Sequence, residues 1–148
     1  MKILIDTNIL IRINHEVVVN TLADLKNQQA NFYILPQVLI EFWCVATRPK
    51  DKNGLGYSIT ETENEVQKAK KMFQLLPDKP GYFAEWQWLV KNYEVKGVNV
   101  HDARLVAAMR VHNLTHIITF NGKDFRRYQE ITIIDPKNFP TSNPQRYT

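Results

Sequence analysis

The sequence has little of what would mark a specialised class of protein. Its 148 residues include one cysteine, Cys44, so no disulfide closes within the chain, and a lone thiol fits a reducing compartment, the cytoplasm. Glycine and proline number only 5 and 7, with no repeat, low-complexity tract or linker, which excludes collagen-like and disordered readings and argues against a second domain. No uninterrupted apolar run is longer than five residues, too short to span a bilayer, so no membrane association is expected. Asp6 follows Ile3-Leu4-Ile5 too early for a secretory segment. CxxC and HExxH are both absent, so zinc is not expected. What is there is an ordinary globular composition, 44% hydrophobic and 23% charged, read as one domain over 1–148. A chain of this length buries about 68–70% of its unfolded surface and needs no disulfide or metal to fold. The net charge of +4 permits a polyanionic partner without demanding one.

Short apolar runs alternate with helical periodicity. Ile3-Leu4-Ile5, Phe32-Tyr33-Ile34-Leu35, His116 to Phe120 and Ile131 to Ile134 read as four strands. Thr7 and Asn8 are good caps for a helical stretch through Leu10 and Ile11, and Val17 to Asn27 reads as a second helix. Pro36 stands where a helix takes its first residue, and that helix runs to Val45 and stops before Pro49. After a polar loop from Lys50 to Ser58, Thr60 with Glu63 three residues on reads as a capping box, opening a helix with the stripe Val66, Ala69, Phe73 and Leu76. Phe83, Trp86, Leu89, Val90 and Tyr93 stripe the next helix, which Gly97 ends, and Asp102 opens the last. Strands alternating with helices predict an α/β fold around a mostly parallel sheet, whose ligands bind beyond the carboxyl ends of the strands.

Four acids stand at informative places. Asp6 directly follows the first strand and Asp124 follows the third by a few residues, so both are expected at one sheet edge. Asp102 lies at a helix start, where the dipole favours an ionised carboxylate. Glu41 interrupts an otherwise apolar helix, so low exposure is expected, with compensation by a basic residue, a hydrogen-bond network or a cation. Each acid also has a plain structural role open to it. Asp6 or Asp102 can cap a helix, Asp124 can be a surface acid beside Lys123, Arg126 and Arg127, and Glu41 can pair with Arg48 or Arg104. Converging carboxylates repel one another, and hard divalent cations bound through oxygen are the usual answer.

Taken in order, Ile5-Asp6-Thr7-Asn8, Glu41 on its apolar helix, His101-Asp102-Ala103 and Thr119-Phe120-Asn121-Gly122-Lys123-Asp124-Phe125 resemble the PIN-domain ribonucleases. The resemblance is to the VapC type, the toxin half of a toxin–antitoxin pair, and extends through Ala46-Thr47-Arg48-Pro49, Asn53-Gly54-Leu55-Gly56 and Leu76-Pro77-Asp78. It implies a three-layer α/β/α PIN-like fold with helices on both faces of the sheet. It also implies an endoribonuclease in which Asp6, Glu41, Asp102 and Asp124 form the catalytic site around Mg2+ or Mn2+. Asp6 and Asp102 match the firmest metal ligands, and Asp124 completes the metal site with Glu41, partly through water. Thr7, Asn8, Thr119 and Asn121 match positions that hydrogen-bond to those carboxylates. The partners implied are an RNA substrate and an antitoxin protein, with the helices around 60–76 and 80–95 as a homodimer face or an antitoxin groove.

Phosphodiester hydrolysis by two metals about 3.5–4 Å apart needs no general-base histidine. Lys123, Arg126 and Arg127 either hold phosphates or form a solvated loop. Trp43 and Trp86 lie on apolar helix faces and are expected in the core, whereas Trp88 lies off the stripe and is expected at the surface. A haloacid-dehalogenase-like phosphatase needs an acid where Asn8 stands, and a receiver domain needs an acidic pair that is missing. The remaining rival is a noncatalytic RNA- or protein-binding module on the same fold, against which the full set of four acids counts.

Overall fold

The computed structural model describes residues 1–139; the remainder of the predicted domain, 140–148, lies outside the described residues. Five strands, β1 (Lys2–Ile5), β2 (Asn31–Ile34), β3 (Gln74–Leu75), β4 (His116–Ile118) and β5 (Thr132–Ile134), form an all-parallel sheet in the order β3-β2-β1-β4-β5. Six α-helices connect and cover them: α1 (Thr7–Ile11), α2 (Glu16–Asn27), α3 (Pro36–Thr47), α4 (Ile59–Met72), α5 (Tyr82–Asn92) and α6 (Asn99–His112). The central strand β1 is sealed on both faces, with Ile3, Leu4 and Ile5 all at 0% exposure, as a three-layer α/β/α arrangement requires. Among the described residues, no helix is long and apolar enough to cross a membrane.

The order of strands fixes where a ligand can lie. From β1 the chain goes first to β2 on one side and later to β4 on the other, so the connections diverge at the β1/β4 boundary. A crevice opens at such a point, beyond the carboxyl ends of the strands. The register pairs Ile5 with Ile118, and the Asp6 N–H donates to the Ile118 carbonyl at 3.2 Å. Asp6 and Thr119, the next residues along, therefore stand side by side at that crevice. Around this crevice α1 packs against α3 and α3 against α4, while α5 lies along α6.

Pro36 is at the first position of α3, as its missing N–H allows. Beyond the end of α3, Gly56 donates to the Arg48 carbonyl at 2.9 Å and Gly54 to that of Pro49 at 3.0 Å. This fold-back brings Gly54 so close that a Cβ there would stand 2.0 Å from the Arg48 oxygen, which admits only glycine.

Several boundaries differ from the sequence reading, and α5 ends at Asn92 with Tyr93 as its C-cap, short of the expected Gly97. A fifth strand, β3, is present, and α4 stops at Met72 because Phe73 turns extended and sets its ring edge-on to Phe32 at 6.0 Å. A two-residue edge strand leaves no period-2 pattern, and Phe73 and Leu76 happen to continue the helical spacing. The N-cap of α4 is Ser58, whose capping box is closed by Glu61, two residues before the expected Thr60/Glu63 pair. Lastly, α6 begins at Asn99, so Asp102 sits inside the first turn and is not an N-cap.

Ser58→Ala should lower unfolding stability by about 1 kcal/mol, the usual worth of an N-cap. Thr60→Ala should stay within about 0.5 kcal/mol. Urea denaturation of the two variants checks this, and equal losses would contradict the Ser58 cap.

Candidate active site

Asp6 is the best-held of the four acids. It caps α1, its Oδ1 accepting from the Thr7 N–H at 2.8 Å. Its Oδ2 accepts from the Thr119 hydroxyl at 2.7 Å and from Asn8 Nδ2 at 3.3 Å. Asn8 also donates to Thr119 Oγ1 at 3.1 Å and accepts from the Phe120 N–H at 3.1 Å. The ends of β1 and β4 are thus stitched together through one carboxylate. Asp6 is only 7% exposed, and its pKa is raised. Burial is the largest cause, the bonds from Thr119 and Thr7 oppose it, and the charges of Glu41 and Asp124 add to it.

Glu41 reaches the crevice from α3. Its Oε2 accepts from the Thr7 hydroxyl at 2.9 Å and its Oε1 from Gln37 Nε2 at 2.9 Å. Neither proposed arginine partner bonds it. Arg48 reaches Cys44 Sγ, and Arg104 donates to Gln37 Oε1 at 3.0 Å and pairs with Asp78 at 3.6 Å. Nor is Glu41 deeply buried: it is of intermediate exposure, and its neighbour Ile40 is 67% exposed. An apolar residue count on a helix does not say which face the core takes, and here one apolar side of α3 points outward.

Asp102, from the first turn of α6, has its pKa raised to about 7. Burial is again the largest cause, followed by the charges of Asp124, Asp6 and Glu41, with Arg127 opposing. Asp124 ends a short 3-10 turn, Gly122–Asp124, after β4. All four acids therefore share one field. Among the described residues, no three His, Cys, Asp or Glu side chains are already gathered at metal-holding spacing. The donor chemistry nonetheless suits a hard divalent cation: oxygen ligands only, mutual repulsion, and one opposing side-chain charge on Asp102.

Of the expected supporting residues, Thr7, Asn8 and Thr119 bond the carboxylates through their side chains. Asn121 does not conform: its backbone N–H donates to Thr119 Oγ1 at 3.0 Å, and the residue is exposed. A turn that starts at Gly122 uses the Asn121 main chain and leaves the amide outward. Gln37 is the residue that sequence reasoning missed. It is 8% exposed, and its Nε2 donates to both Glu41 Oε1 and the His101 carbonyl, each at 2.9 Å. Its position one turn before Glu41 was the available signal. Lys123 and Arg126 are exposed, whereas Arg127 is of intermediate exposure and acts on Asp102. Trp43 and Trp86 are only partly buried, short of the core placement expected, and Trp88 is exposed under the Arg110 guanidinium at 4.8 Å.

The PIN domain model matches residues 3–131. The chain belongs to the PIN domain family. Ribonuclease VapC of Rickettsia bellii is 30% identical over 136 residues, covering 90% of this chain and 96% of that protein. The structure of VapBC2 from Rickettsia felis bound to a DNA fragment from their promoter superposes with a TM-score of 0.70 at 16% identity, covering 91% of this chain and 98% of that one. VapBC-1 from nontypeable Haemophilus influenzae gives 0.68 at 16% identity, covering 93% and 100%. Within this PIN domain the matched span contains all four acids and every residue that bonds them.

The Asp102 shift has a sign that can be tested. Folding raises this carboxyl from 3.8 to about 7, so between those values the folded chain binds a proton that the unfolded chain has released. The Asp102 contribution to stability is therefore fully present below about pH 4 and is lost as pH rises through 7. In chelator, the wild type should lose melting temperature relative to Asp102→Asn across that window, the two converging near pH 4. A constant difference from pH 4 to pH 8 would contradict the shift.

Proposed function

We propose that this PIN domain is a Mg2+- or Mn2+-dependent endoribonuclease and the toxin of a toxin–antitoxin pair. The observation that carries the reading is the convergence of four carboxylates at one place, where burial first and then the charges of Asp124, Asp6 and Glu41 raise the Asp102 pKa to about 7. A fold maintained for stability alone has no use for that repulsion, whereas a site for cations and a phosphodiester depends on it. The ribonuclease name of the Rickettsia bellii relative and the solved toxin–antitoxin complex from Klebsiella pneumoniae, a structural relative at a TM-score of 0.63, support the same reading.

Asp6 and Asp102 would hold the cation directly, with Asp124 beside them. When bound, the cation supplies Lewis-acid stabilisation of charge developing on the phosphate. The chain's own residues do the positioning. Thr119 and Asn8 fix the Asp6 Oδ2 lone pairs, and Thr7 and Gln37 hold Glu41 in one rotamer. Arg127, nearest to Asp102 in effect, and the exposed Lys123 and Arg126 would draw the strand's phosphates to the crevice. Deprotonation of Asp102 is part of cation binding, so proton and cation compete for it.

The antitoxin would seat on an apolar groove of about 240 Å3 between α1, α2, α3 and α4, whose walls include Leu10, Ile13, Val19, Phe42 and Met72. Val19 and Met72 are 48% and 56% exposed there. Adjoining Glu65 and Lys68 pair at 3.1 Å, which gives the groove a polar rim.

Chelator should abolish cleavage of single-stranded RNA, with Mg2+ or Mn2+ restoring it. Asp6→Asn and Asp102→Asn should each reduce the rate at least a hundredfold, roughly 2.7 kcal/mol of transition-state stabilisation. The Mg2+ concentration for half-maximal rate should climb as pH falls below 7. Undiminished cleavage in chelator, or full activity in either variant, would overturn the metal assignment, whereas RNA binding with no cleavage under any metal condition would favour the noncatalytic binding module. Neutralising Lys123, Arg126 and Arg127 should flatten the slope of log affinity against log salt by roughly 0.7 per lost single-strand phosphate contact. An unchanged slope would make them a solvated loop.

A further inference from the structure

Beside the carboxylates, between the start of α5 and the first turns of α6, lies an open cavity of about 570 Å3 that the cleavage chemistry does not use. Its walls include Pro80, Phe83, Trp86, Val100, His101 and Arg104. We propose that this cavity is a nucleobase subsite, taking an unstacked base of the RNA strand next to the phosphate held at Asp6 and Asp102. The inference rests on the nuclease reading and adds to it the feature that selects where the strand is held.

The size is that of a small-ligand pocket, about 300–1,000 Å3, and so is ample for a base with part of its ribose. Phe83 and Trp86 have ring centroids 5.6 Å apart at 31°, which is direct contact, so no base enters between them and the two rings form one apolar wall. Phe83 is 68% exposed, a large apolar area to leave in water. The Trp86 indole N–H already donates to the Val100 carbonyl at 2.7 Å, which fixes the ring and leaves its faces, not its polar edge, for contact. Single-stranded RNA is commonly held by stacking on such faces and on arginine planes.

Charge and connectivity favour a base over an apolar protein segment. Arg104 and Lys79 bring cations to the rim, and the one acid among the lining residues, Asp78, is paired with Arg104 at 3.6 Å. Arg104 then continues inward: it donates to Gln37 Oε1, and Gln37 donates to Glu41. His101 lines the cavity and directly precedes Asp102. Two links thus join the cavity wall to the acidic site, the Arg104–Gln37–Glu41 bonds and the adjacency of His101 to Asp102, so a strand held by a phosphate at the carboxylates would bring a neighbouring nucleotide toward this mouth.

The test uses the full chain carrying Asp102→Asn, so that no strand is cut. Its affinity is measured by fluorescence anisotropy for three labelled twelve-nucleotide probes: oligo(A), oligo(U) and an abasic ribose-phosphate chain. Adding Phe83→Ala should weaken at least one base-bearing probe about tenfold, within the usual range for one stacked base, and leave the abasic chain unchanged. Phe83→Trp should restore the affinity, and because residue 83 is exposed, both variants should keep the parent melting temperature. Equal weakening of all three probes, no weakening, or no base-dependent binding by the parent would overturn the proposal. So would conversion of a dimer to monomer by Phe83→Ala with RNA affinity intact, which would give the surface to a second copy. RNA cleavage by the chain with Asp102 intact is measured separately; its absence alongside base-dependent binding would refute the nuclease reading and leave the subsite standing.

Discussion

Four converging carboxylates, two of which, Asp6 and Asp102, have their proton affinity raised by burial and by the neighbouring negative charges, form the constraint to which the strand ends and the surrounding side chains are fitted. Left alone, such a cluster tends to take up protons, and Asp102, buried beside three other acids, has its pKa raised to about 7. What prevents collapse of the arrangement is a set of neutral donors. Thr7, Asn8, Thr119 and Gln37 bond the acids without cancelling their charge. Hydrogen bonds to a carboxylate favour its ionised form, which opposes the effect of burial at Asp6 without removing the negative field of the cluster.

That network depends on a backbone feature. Parallel pairing of β1 with β4 sets Ile5 against Ile118, and the next residue on each strand leaves the sheet at the same level. Asp6 and Thr119 meet because of this register, and a one-residue slip would turn one of them to the opposite face. The left flank comes from α3, whose start is set by Pro36 and whose Gln37 and Glu41 lie one turn apart on the side toward Thr7 and α6. The right flank comes from the 3-10 turn after β4, which carries Asp124. With Asp102 from α6, four separate connections thus supply one acid each, while the sheet supplies only the floor.

Asp6, Asp102 and Asp124 were legible in the sequence because each is defined by its immediate neighbours: an acid after an apolar run or at a helix start. Glu41 was legible for the opposite reason, as a charge among apolar residues, but its surroundings were misread. The count of apolar neighbours predicted burial, whereas Ile40 is 67% exposed and Glu41 is partly open. Gln37 was legible only through its place one turn before Glu41. A glutamine inside a helix carries no local signal of bonding to His101 and Arg104, which are more than sixty residues away along the chain. Strand β3 failed for want of length, and the α4 cap because Ser58-x-x-Glu61 and Thr60-x-x-Glu63 both satisfy the pattern, only the chain direction before the helix choosing between them.

The role of Gln37 bears on how the site keeps its charge while a cation-rich pocket adjoins it. Arg104 is within reach of the same helix turn as Glu41, and a direct ion pair between them would neutralise part of the acidic field. The intervening amide prevents this by presenting its oxygen to the guanidinium and its nitrogen to the carboxylate. An amide carries a strong donor and a strong acceptor in one plane and never titrates, so it can satisfy an arginine and a glutamate together without adding charge. Leucine at 37 would leave both partners short of a bond in a partly buried setting, and glutamate would bond Arg104 but add a fifth negative charge beside Glu41. The acidic crevice on one side and the arginine-bearing cavity on the other are kept electrostatically separate by that one neutral residue.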